Sequence, residues 1–179
     1  FVPRNPDLVL VDTEVIARAP VRFLVAGMGD ALATWFEAES CRQSYAENQC
    51  GGNGTLAAFA IARLCYDTIL QHGVAAKAAC AEGVVTPALS HVVEANTLLS
   101  GLGFESGGLA APHSIHNGLT KLEGTHDYYH GEKVTIGVLA GPSNNGRYGQ
   151  SEFSGVGEAG LRLEYAMTRQ CRLTFGYTL

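Results

Sequence analysis

The stretch "GTLAAFAIARLCYDTILQHG", Gly54 to Gly73, decides the fold class because its apolar residues recur with the period of an α-helix. The recurring apolar positions are Leu56, Phe59, Ala60 and Leu64. Alanine is the strongest helix former, and glycine commonly ends a helix. The pattern therefore predicts a helix that ends at Gly73.

Helical patterns flank this stretch on both sides. The preceding segment, "GDALATWFEAESC", predicts a helix that opens behind Gly27 and Gly29. The following segment, "TPALSHVVEANTLLSG", offers Thr86 as an N-cap and Pro87 in the first turn, and we expect it to close at Gly101. "GGLAAPHSIHNG" predicts another helix bounded by glycines, and "GEKVTIGVLA" begins one more. The sequence therefore predicts a mainly α-helical fold.

The two ends of the chain break this pattern. "DLVLVD", Asp7 to Asp12, is a short apolar run that predicts a single buried strand. Residues 141–160 form a connector rich in glycine, serine and asparagine. Beyond it, apolar and polar residues alternate on both sides of a turn at Thr168 to Gln170, as far as Leu179. A period of two is typical of an amphipathic β-hairpin.

Composition and charge exclude several classes of protein. The 179 residues are 46% hydrophobic and 16% charged, which allows a buried core and is not typical of a disordered chain. The net charge of −5 excludes a general nucleic-acid binder. Five cysteines without a CxxC pair predict reduced, packed thiols and a cytoplasmic location. No stretch approaches the roughly 18 apolar residues of a membrane span. The sequence shows no signal peptide. Because it starts at Phe1 rather than Met, we expect a piece of a longer protein.

Four of the six histidines fall in two clusters, "GGLAAPHSIHNG" and "THDYYHGEK". His113 and His116 point to similar sides of a helix, and a returning chain could bring His130 to His113. Imidazoles suit zinc and iron, and a carboxylate is the usual third ligand of a catalytic site. The candidate carboxylates are Asp30, Glu105, Glu123, Asp127 and Glu132. Spacing alone leaves open the alternative of partly exposed histidines that bind nothing.

Asp30 is the most unusual of these carboxylates, because it lies in the first turn of the predicted apolar helix beside Trp35 and Phe36. An ordinary acidic residue at a helix N-terminus gains roughly 0.3–1 kcal/mol from the helix dipole. The apolar neighbours instead indicate a buried helix, where a carboxylate without a partner is costly. We therefore expect Asp30 to contact a cation or hydrogen-bond donors.

Three motifs, "GMGDALATWFEA", "GFESGGLAAPHSIHNGLT" and "YYHGEKV", closely resemble the glycerol dehydrogenases of the iron-containing (group III) alcohol dehydrogenase family. The likeness runs nearly continuously from about residue 1 to residue 140. It implies the helical metal-binding C-terminal domain of a dehydroquinate-synthase-like fold, with a metal ion held by Asp30, His113 and His130. The wider family often has a histidine as a fourth ligand where this chain has Thr34, which fits the three-ligand glycerol dehydrogenase branch.

The resemblance also implies an activity, NAD-dependent oxidation of glycerol to dihydroxyacetone with zinc, or alternatively iron, as the metal. Three protein ligands leave an open coordination position where the metal lowers the pKa of a substrate hydroxyl before hydride passes to NAD. Asp30, His113 and Phe104 are expected to line the substrate site, with core packing as the alternative for Phe104. His116 is expected to orient a metal-bound imidazole or relay a proton, with polar packing as the alternative. The implied partners are glycerol or a related small diol and further copies of the chain in a homo-oligomer. We expect no binding to nucleic acid and, for residues 1–140, no binding to a membrane.

The chain departs from this family in three ways. Compared with this family, we expect the NAD-binding domain to be missing, which leaves the cofactor-binding residues unknown. Residues 1–20 are then expected to be that domain's last strand and a linker, and residues 21–140 an incomplete, truncated helical domain. Where the family has further helices, residues 141–179 are expected to form a connector and a hairpin of unrelated origin. These residues are weakly similar to an outer-membrane β-barrel. A gene fusion, a frameshift or an assembly error near Gly141 would explain the change. Pro112 precedes His113, where it either bends the helix or falls in its first turn.

These departures separate the family's activity from that of this chain, which we expect to be inactive alone. The alternatives are a non-catalytic metal-binding remnant, an artefact of fusion or assembly, and a surface protein derived from a barrel.

Overall fold

The computed structural model describes residues 6–140, 160–168 and 171–178, and the chain divides into two units, Phe1–Gly141 and Pro142–Leu179. The first unit is helical, as the sequence predicts. Its α-helices are α1 (Thr13–Ala17), α2 (Val21–Ser44), α3 (Leu56–Ala81), α4 (Pro87–Glu94), α5 (Ser100–Gly107), α6 (Ala111–Leu119) and α7 (His130–Ala140). A π-helical segment, Ala95–Leu99, joins α4 to α5, and a 3₁₀ turn, Glu123–Thr125, lies between α6 and α7.

The core of this unit is built on α2 and α3, which pack against each other through small side chains. Cys65 of α3 is fully buried, and its thiol donates to the carbonyls of Ala31 at 3.4 Å and Ala95 at 3.5 Å. Burial, with a smaller contribution from the charge of Asp30, raises the pKa of the Cys65 thiol to about 12. This cysteine is therefore an unreactive packing residue, as the sequence analysis expected of the thiols.

Two of the predicted helix ends are wrong, because the glycines on which they rested lie inside helices. α2 begins at Val21, so Gly27 and Gly29 are internal, and α3 continues past Gly73 to Ala81. A glycine inside a helix costs only about 1 kcal/mol relative to alanine, and the packing of two long helices offsets that amount. Asp30 consequently lies in the third turn of α2 rather than the first, so it is not an N-terminal helix charge.

The third predicted helix begins where expected but does not close at Gly101. The Thr86 hydroxyl accepts a hydrogen bond from the amide of Leu89 at 3.2 Å, which confirms the predicted cap. The helical chain then continues through the π-helical segment and α5 to Gly107. It ends at Gly108, whose φ of 103° is a conformation that residues with a side chain rarely adopt.

The helix α6 settles the position of Pro112, which lies in its first turn. A proline there removes no hydrogen bond within the helix, so it does not bend the chain at His113. The helix begins at Ala111 and runs through Gly118 to Leu119, rather than stopping at a glycine. The last helix, α7, begins at His130, one residue before the predicted start.

The N-terminal strand predicted for Asp7 to Asp12 is wrong. Residues 6–12 are irregular, and Leu8, Val9 and Leu10 are 77%, 62% and 88% exposed. A strand needs a partner for its backbone hydrogen bonds, and the part of the chain that the structure describes offers none at this place. Within the described residues, no helix combines the length and the apolar character needed to cross a bilayer.

The second unit contains two strands, β1 (Gly160–Thr168) and β2 (Cys171–Thr178). They pair antiparallel, with Gly160 opposite Thr178 and Leu163 opposite Phe175, and the register shifts between Ala166 and Thr168. Of the predicted connector, residues 141–160, all but Gly160 lie outside the described residues, and Gly160 begins β1.

Candidate metal centre

Three residues from different helices meet at one point on the helical unit. Asp30 lies in the middle of α2, His113 follows Pro112 in the first turn of α6, and His130 is the first residue of α7. Helix α7 packs against both α2 and α6 and so carries His130 to the other two. Gly131 makes the approach of α7 to α2 possible, because a Cβ atom at this position would overlap the carbonyl oxygen of Ala26.

The ligand-type atoms of this triad lie close to one another. Oδ1 of Asp30 is 3.5 Å from Nε2 of His113 and 3.3 Å from Nε2 of His130, and the two Nε2 atoms are 3.2 Å apart. Among the described residues, this is the group of histidine, cysteine and acidic side chains placed to hold a metal ion. These are the three residues that the sequence analysis selected.

The spacing of these atoms matches a tetrahedral zinc site. Ligand atoms about 2.0–2.2 Å from a zinc ion, at tetrahedral angles, are about 3.3–3.6 Å apart. Two of the three separations, 3.3 and 3.5 Å, fall within that range, and the third, 3.2 Å, is about 0.1 Å below it. Two imidazole nitrogens and one carboxylate oxygen are also a donor set that zinc accepts. The residues present therefore fit the metal that the resemblance implies.

The three side chains of the triad are partly exposed. The side chains of His113, Asp30 and His130 are 19%, 35% and 48% exposed. A structural zinc site is usually closed by four protein ligands, whereas a catalytic site keeps one position free. Partial exposure of all three side chains is consistent with a site that a small molecule can reach.

Glu37 is a contact of this site that the sequence analysis missed. It is fully buried, and its Oε2 lies 2.6 Å from Nδ1 of His113, on the ring edge opposite the triad. Its Oε1 accepts hydrogen bonds from the backbone amides of Ala110 at 2.8 Å and His113 at 3.1 Å. The sequence does carry a signal for it, because Glu37 follows Asp30 by seven residues, two turns along the same face of a helix.

The charges around His113 raise its pKa. Burial lowers the pKa of this imidazole, but the hydrogen bond and the charge of Glu37, together with the charge of Asp30, outweigh burial and place the pKa above the ordinary value of 6.5. Glu37 and Asp30 together therefore create a negative electrostatic environment around His113, as expected for a site that attracts a cation.

His116 is buried beside the triad and is not one of its members. Its ring centroid lies 4.1 Å from that of His130 and 6.3 Å from that of His113. Burial lowers its pKa, a hydrogen bond with Asn117 raises it, and nearby positive groups lower it further, for a net decrease. The surroundings of His116 thus disfavour its charged form, and its role as an orienting or relay residue stays a prediction.

Two other residues singled out in the sequence, Thr34 and Phe104, are not members of the triad. Thr34, one turn after Asp30, is buried and shares a hydrogen bond of 2.9 Å with Ser100. Phe104 lies in α5, half-buried, and α5 packs against α2 and α3, so its place in a substrate pocket stays a prediction.

Of the candidate carboxylates other than Asp30, Glu132 supports the segment that carries His130. Its carboxylate accepts two hydrogen bonds from Arg22 of α2, at 2.6 and 2.8 Å, and one from the backbone amide of Tyr129 at 2.8 Å. Arg22 also donates to the carbonyl of Asp127 at 3.0 Å and lies 4.7 Å from the centroid of the Tyr129 ring. We call this set, Arg22, Asp127, Tyr129 and Glu132, the arginine clamp.

The chain is similar in sequence and in structure to one family of enzymes. The chain is 72% identical over 140 residues to a glycerol dehydrogenase from Thermotoga maritima and 61% identical over 138 residues to one from Citrobacter freundii. These matches cover 78% and 77% of the chain and 38% of each relative, so the chain spans well under half of their length. The crystal structure of a probable glycerol dehydrogenase from Sinorhizobium meliloti matches with a TM-score of 0.76 at 55% identity, over 78% of this chain and 39% of that one. The similarity supports an enzyme family of dehydrogenases.

A second comparison concerns the C-terminal part of the chain. A family model described as "Putative beta barrel porin-7 (BBP7)" matches residues 114–179, which is less than half of the chain. The match overlaps α6 and α7, which are helical. In the second unit, the described strands form a two-stranded sheet. This match does not extend to Asp30.

Proposed function

We propose that the helical unit is the metal-binding part of a glycerol dehydrogenase and that Asp30, His113 and His130 hold its catalytic zinc ion. The observation that carries the proposal is the triad itself, three ligand atoms 3.2 to 3.5 Å apart delivered by three helices. The identity to named glycerol dehydrogenases supplies the reaction class, oxidation of an alcohol. Iron is the alternative metal, since the same donor set suits it.

Each residue contributes a defined part of the chemistry. A bound zinc ion would act as a Lewis acid and lower the pKa of the substrate hydroxyl. Asp30 supplies a negatively charged ligand to the site, while His113 and His130 would each donate a ring nitrogen to the metal. The partly exposed side of the triad leaves room for the hydroxyl of glycerol or a related small diol. His116 excludes water from the face of His130 on which it packs.

The remaining parts of the proposal follow the relatives. The oxidant is NAD, which the resemblance to the family assigns to a separate domain. The product is dihydroxyacetone, and the location is cytoplasmic. Assembly into a homo-oligomer and a substrate-lining role for Phe104 belong to the same proposal.

A second candidate function is metal binding without turnover. It is favoured by two observations, that the chain matches 38% of the relatives' length and that its own described residues bring the complete triad together. Under this reading the chain holds zinc but does not by itself oxidise glycerol.

The experiment is a measurement of zinc bound per chain after loading and dialysis, followed by an assay of glycerol oxidation with NAD. We expect one zinc ion per wild-type chain and none in Asp30→Ala. Asp67→Ala is the matched control, because Asp67 is an exposed carboxylate paired with Arg63 on α3. Equal zinc in the wild type and Asp30→Ala would refute the site. Zinc binding with turnover supports the dehydrogenase, and zinc binding without turnover supports the second candidate.

A further inference from the structure

We infer that Glu37 is a positioning residue that fixes the tautomer and the orientation of His113, so that its Nε2 lone pair faces Asp30 and His130 before any metal arrives. The inference rests on the proposed metal site and concerns a residue that does not itself touch the metal or the substrate.

The first argument comes from the hydrogen-bonding chemistry of a carboxylate. Oε1 of Glu37 accepts from two backbone amides, and its Oε2 lies 2.6 Å from Nδ1 of His113, an arrangement in which the carboxylate accepts from a proton on Nδ1. In a neutral imidazole, Nε2 is then the acceptor. Nε2 is the atom that lies 3.5 Å from Asp30 Oδ1 and 3.2 Å from His130 Nε2. Glu37 therefore selects the tautomer that can bind a metal.

The second argument comes from the start of α6. The first amides of a helix have no partner within it, and Ala110, at the cap position, has no side chain that could accept from them. Oε1 of Glu37 accepts from the amides of Ala110 and His113 instead. One carboxylate thus holds both the backbone and the ring of His113, which leaves this ligand little freedom to turn away from the triad.

The third argument comes from α2, which carries both the ligand Asp30 and the positioning residue. Their offset of seven residues is two turns of one continuous helix, so Asp30 and Glu37 keep a fixed relation to each other. His113 is held between them, with Nδ1 towards Glu37 and Nε2 towards Asp30. A buried carboxylate is costly unless it is hydrogen-bonded, and three donors from residues 110–113 meet that requirement. A metal ion bound at Nε2 of His113 would further compensate the charge of the Glu37 carboxylate, at longer range.

A purely structural role, helix capping alone, is the competing explanation, and Glu37→Gln separates the two. The glutamine oxygen can still accept from both backbone amides, which preserves the cap. The glutamine NH₂ group would then face Nδ1 of His113 and donate to it. This would move the imidazole proton to Nε2, the atom that must bind the metal.

The test uses the full chain, freed of metal with a chelator and titrated with zinc in competition with a chromophoric chelator. We expect Glu37→Gln to fold with a circular dichroism spectrum like that of the wild type and to bind zinc about 10–100-fold more weakly. Ser100→Ala is the matched control, since it also alters a buried polar contact of α2 but not one of the triad. It should bind zinc as the wild type does. An unchanged zinc affinity in Glu37→Gln would overturn the inference.

A second measurement needs no Glu37 variant to fold. Long-range ¹H–¹⁵N correlation spectra of the metal-free wild type at alkaline pH report imidazole tautomers, and the His113 signals are those missing from His113→Gln. We expect the Nδ1–H form, and a predominant Nε2–H form would overturn the inference. If the wild type binds no zinc, the proposed function fails, while the tautomer of His113 still decides the role of Glu37.

Discussion

The Nε2 atoms of His113 and His130 face each other across 3.2 Å, and the same carboxylate oxygen of Asp30 lies within 3.5 Å of both. A metal ion held by these three atoms would accept a lone pair from each of them, because their spacing is that of ligands around a single ion. This relationship is the physical reason to regard the three residues as one site.

The first prediction distinguishes the two histidines of "HSIH". His113→Gln should lose stoichiometric zinc, whereas His116→Gln should keep it, because the His116 ring lies beside His130 and outside the triad. The measurement is zinc per chain by mass spectrometry under native conditions. Zinc loss in His116→Gln equal to that in His113→Gln would show that His116 is a ligand.

The second prediction concerns pH. Protons compete with zinc for His113, and because its pKa lies above 6.5, this competition begins at a higher pH than for an ordinary histidine. The stability of the metal-free protein changes with pH in the opposite direction. The raised pKa of His113 contributes stability that is fully present below pH 6.5 and is lost as the pH rises through the pKa of the folded state. The increase in Tm caused by zinc should therefore shrink as pH falls towards 6.5 and below. Thermal unfolding with and without zinc across this window checks it, and a pH-independent increase would contradict it.

The third prediction concerns the arginine clamp. Arg22→Gln removes the two bonds to Glu132 and the bond to the Asp127 carbonyl, so the segment that leads into His130 should become less ordered. We expect zinc affinity to fall several-fold. The matched control is Arg63→Gln, which removes an exposed contact with Asp67 on α3, far along the chain from any ligand. If both variants lower the affinity equally, the clamp has no specific role.

The fourth prediction concerns the packing of α7 on α2. A methyl group at Gly131 would overlap the Ala26 carbonyl, so Gly131→Ala should push α7 and His130 away from Asp30. We expect a loss of about 1–3 kcal/mol in the free energy of unfolding, together with weaker zinc binding. Gly101→Ala is the control, because a methyl group there meets no neighbour and should stabilise the protein by about 0.4–1 kcal/mol. Denaturant titrations of both variants measure these changes.

The site was more predictable from the sequence than the limits of the helices. Asp30, His113 and His130 could be selected because their surrounding motifs are specific and because an acidic residue among apolar neighbours needs a partner. Helix ends were less predictable because a glycine is informative only when its backbone conformation is known. Gly108 ends a helix with a positive φ, whereas Gly73 lies within one, and the two look alike in a sequence.

Two other features depended on contacts between distant residues. Glu37 was missed because its partners lie more than 70 residues away, on α6. The strand predicted at "DLVLVD" failed for a related reason, since an apolar run becomes a strand only where another strand is available to pair with it.

The measurement that tests the central claim most directly is zinc K-edge X-ray absorption of the zinc-loaded full chain. The account predicts nitrogen and oxygen neighbours about 2.0–2.2 Å from the metal, with the scattering pattern of two imidazoles. That pattern should disappear in the double variant His113→Gln, His130→Gln. Sulfur neighbours at about 2.3 Å, or an imidazole pattern that survives the double variant, would contradict it.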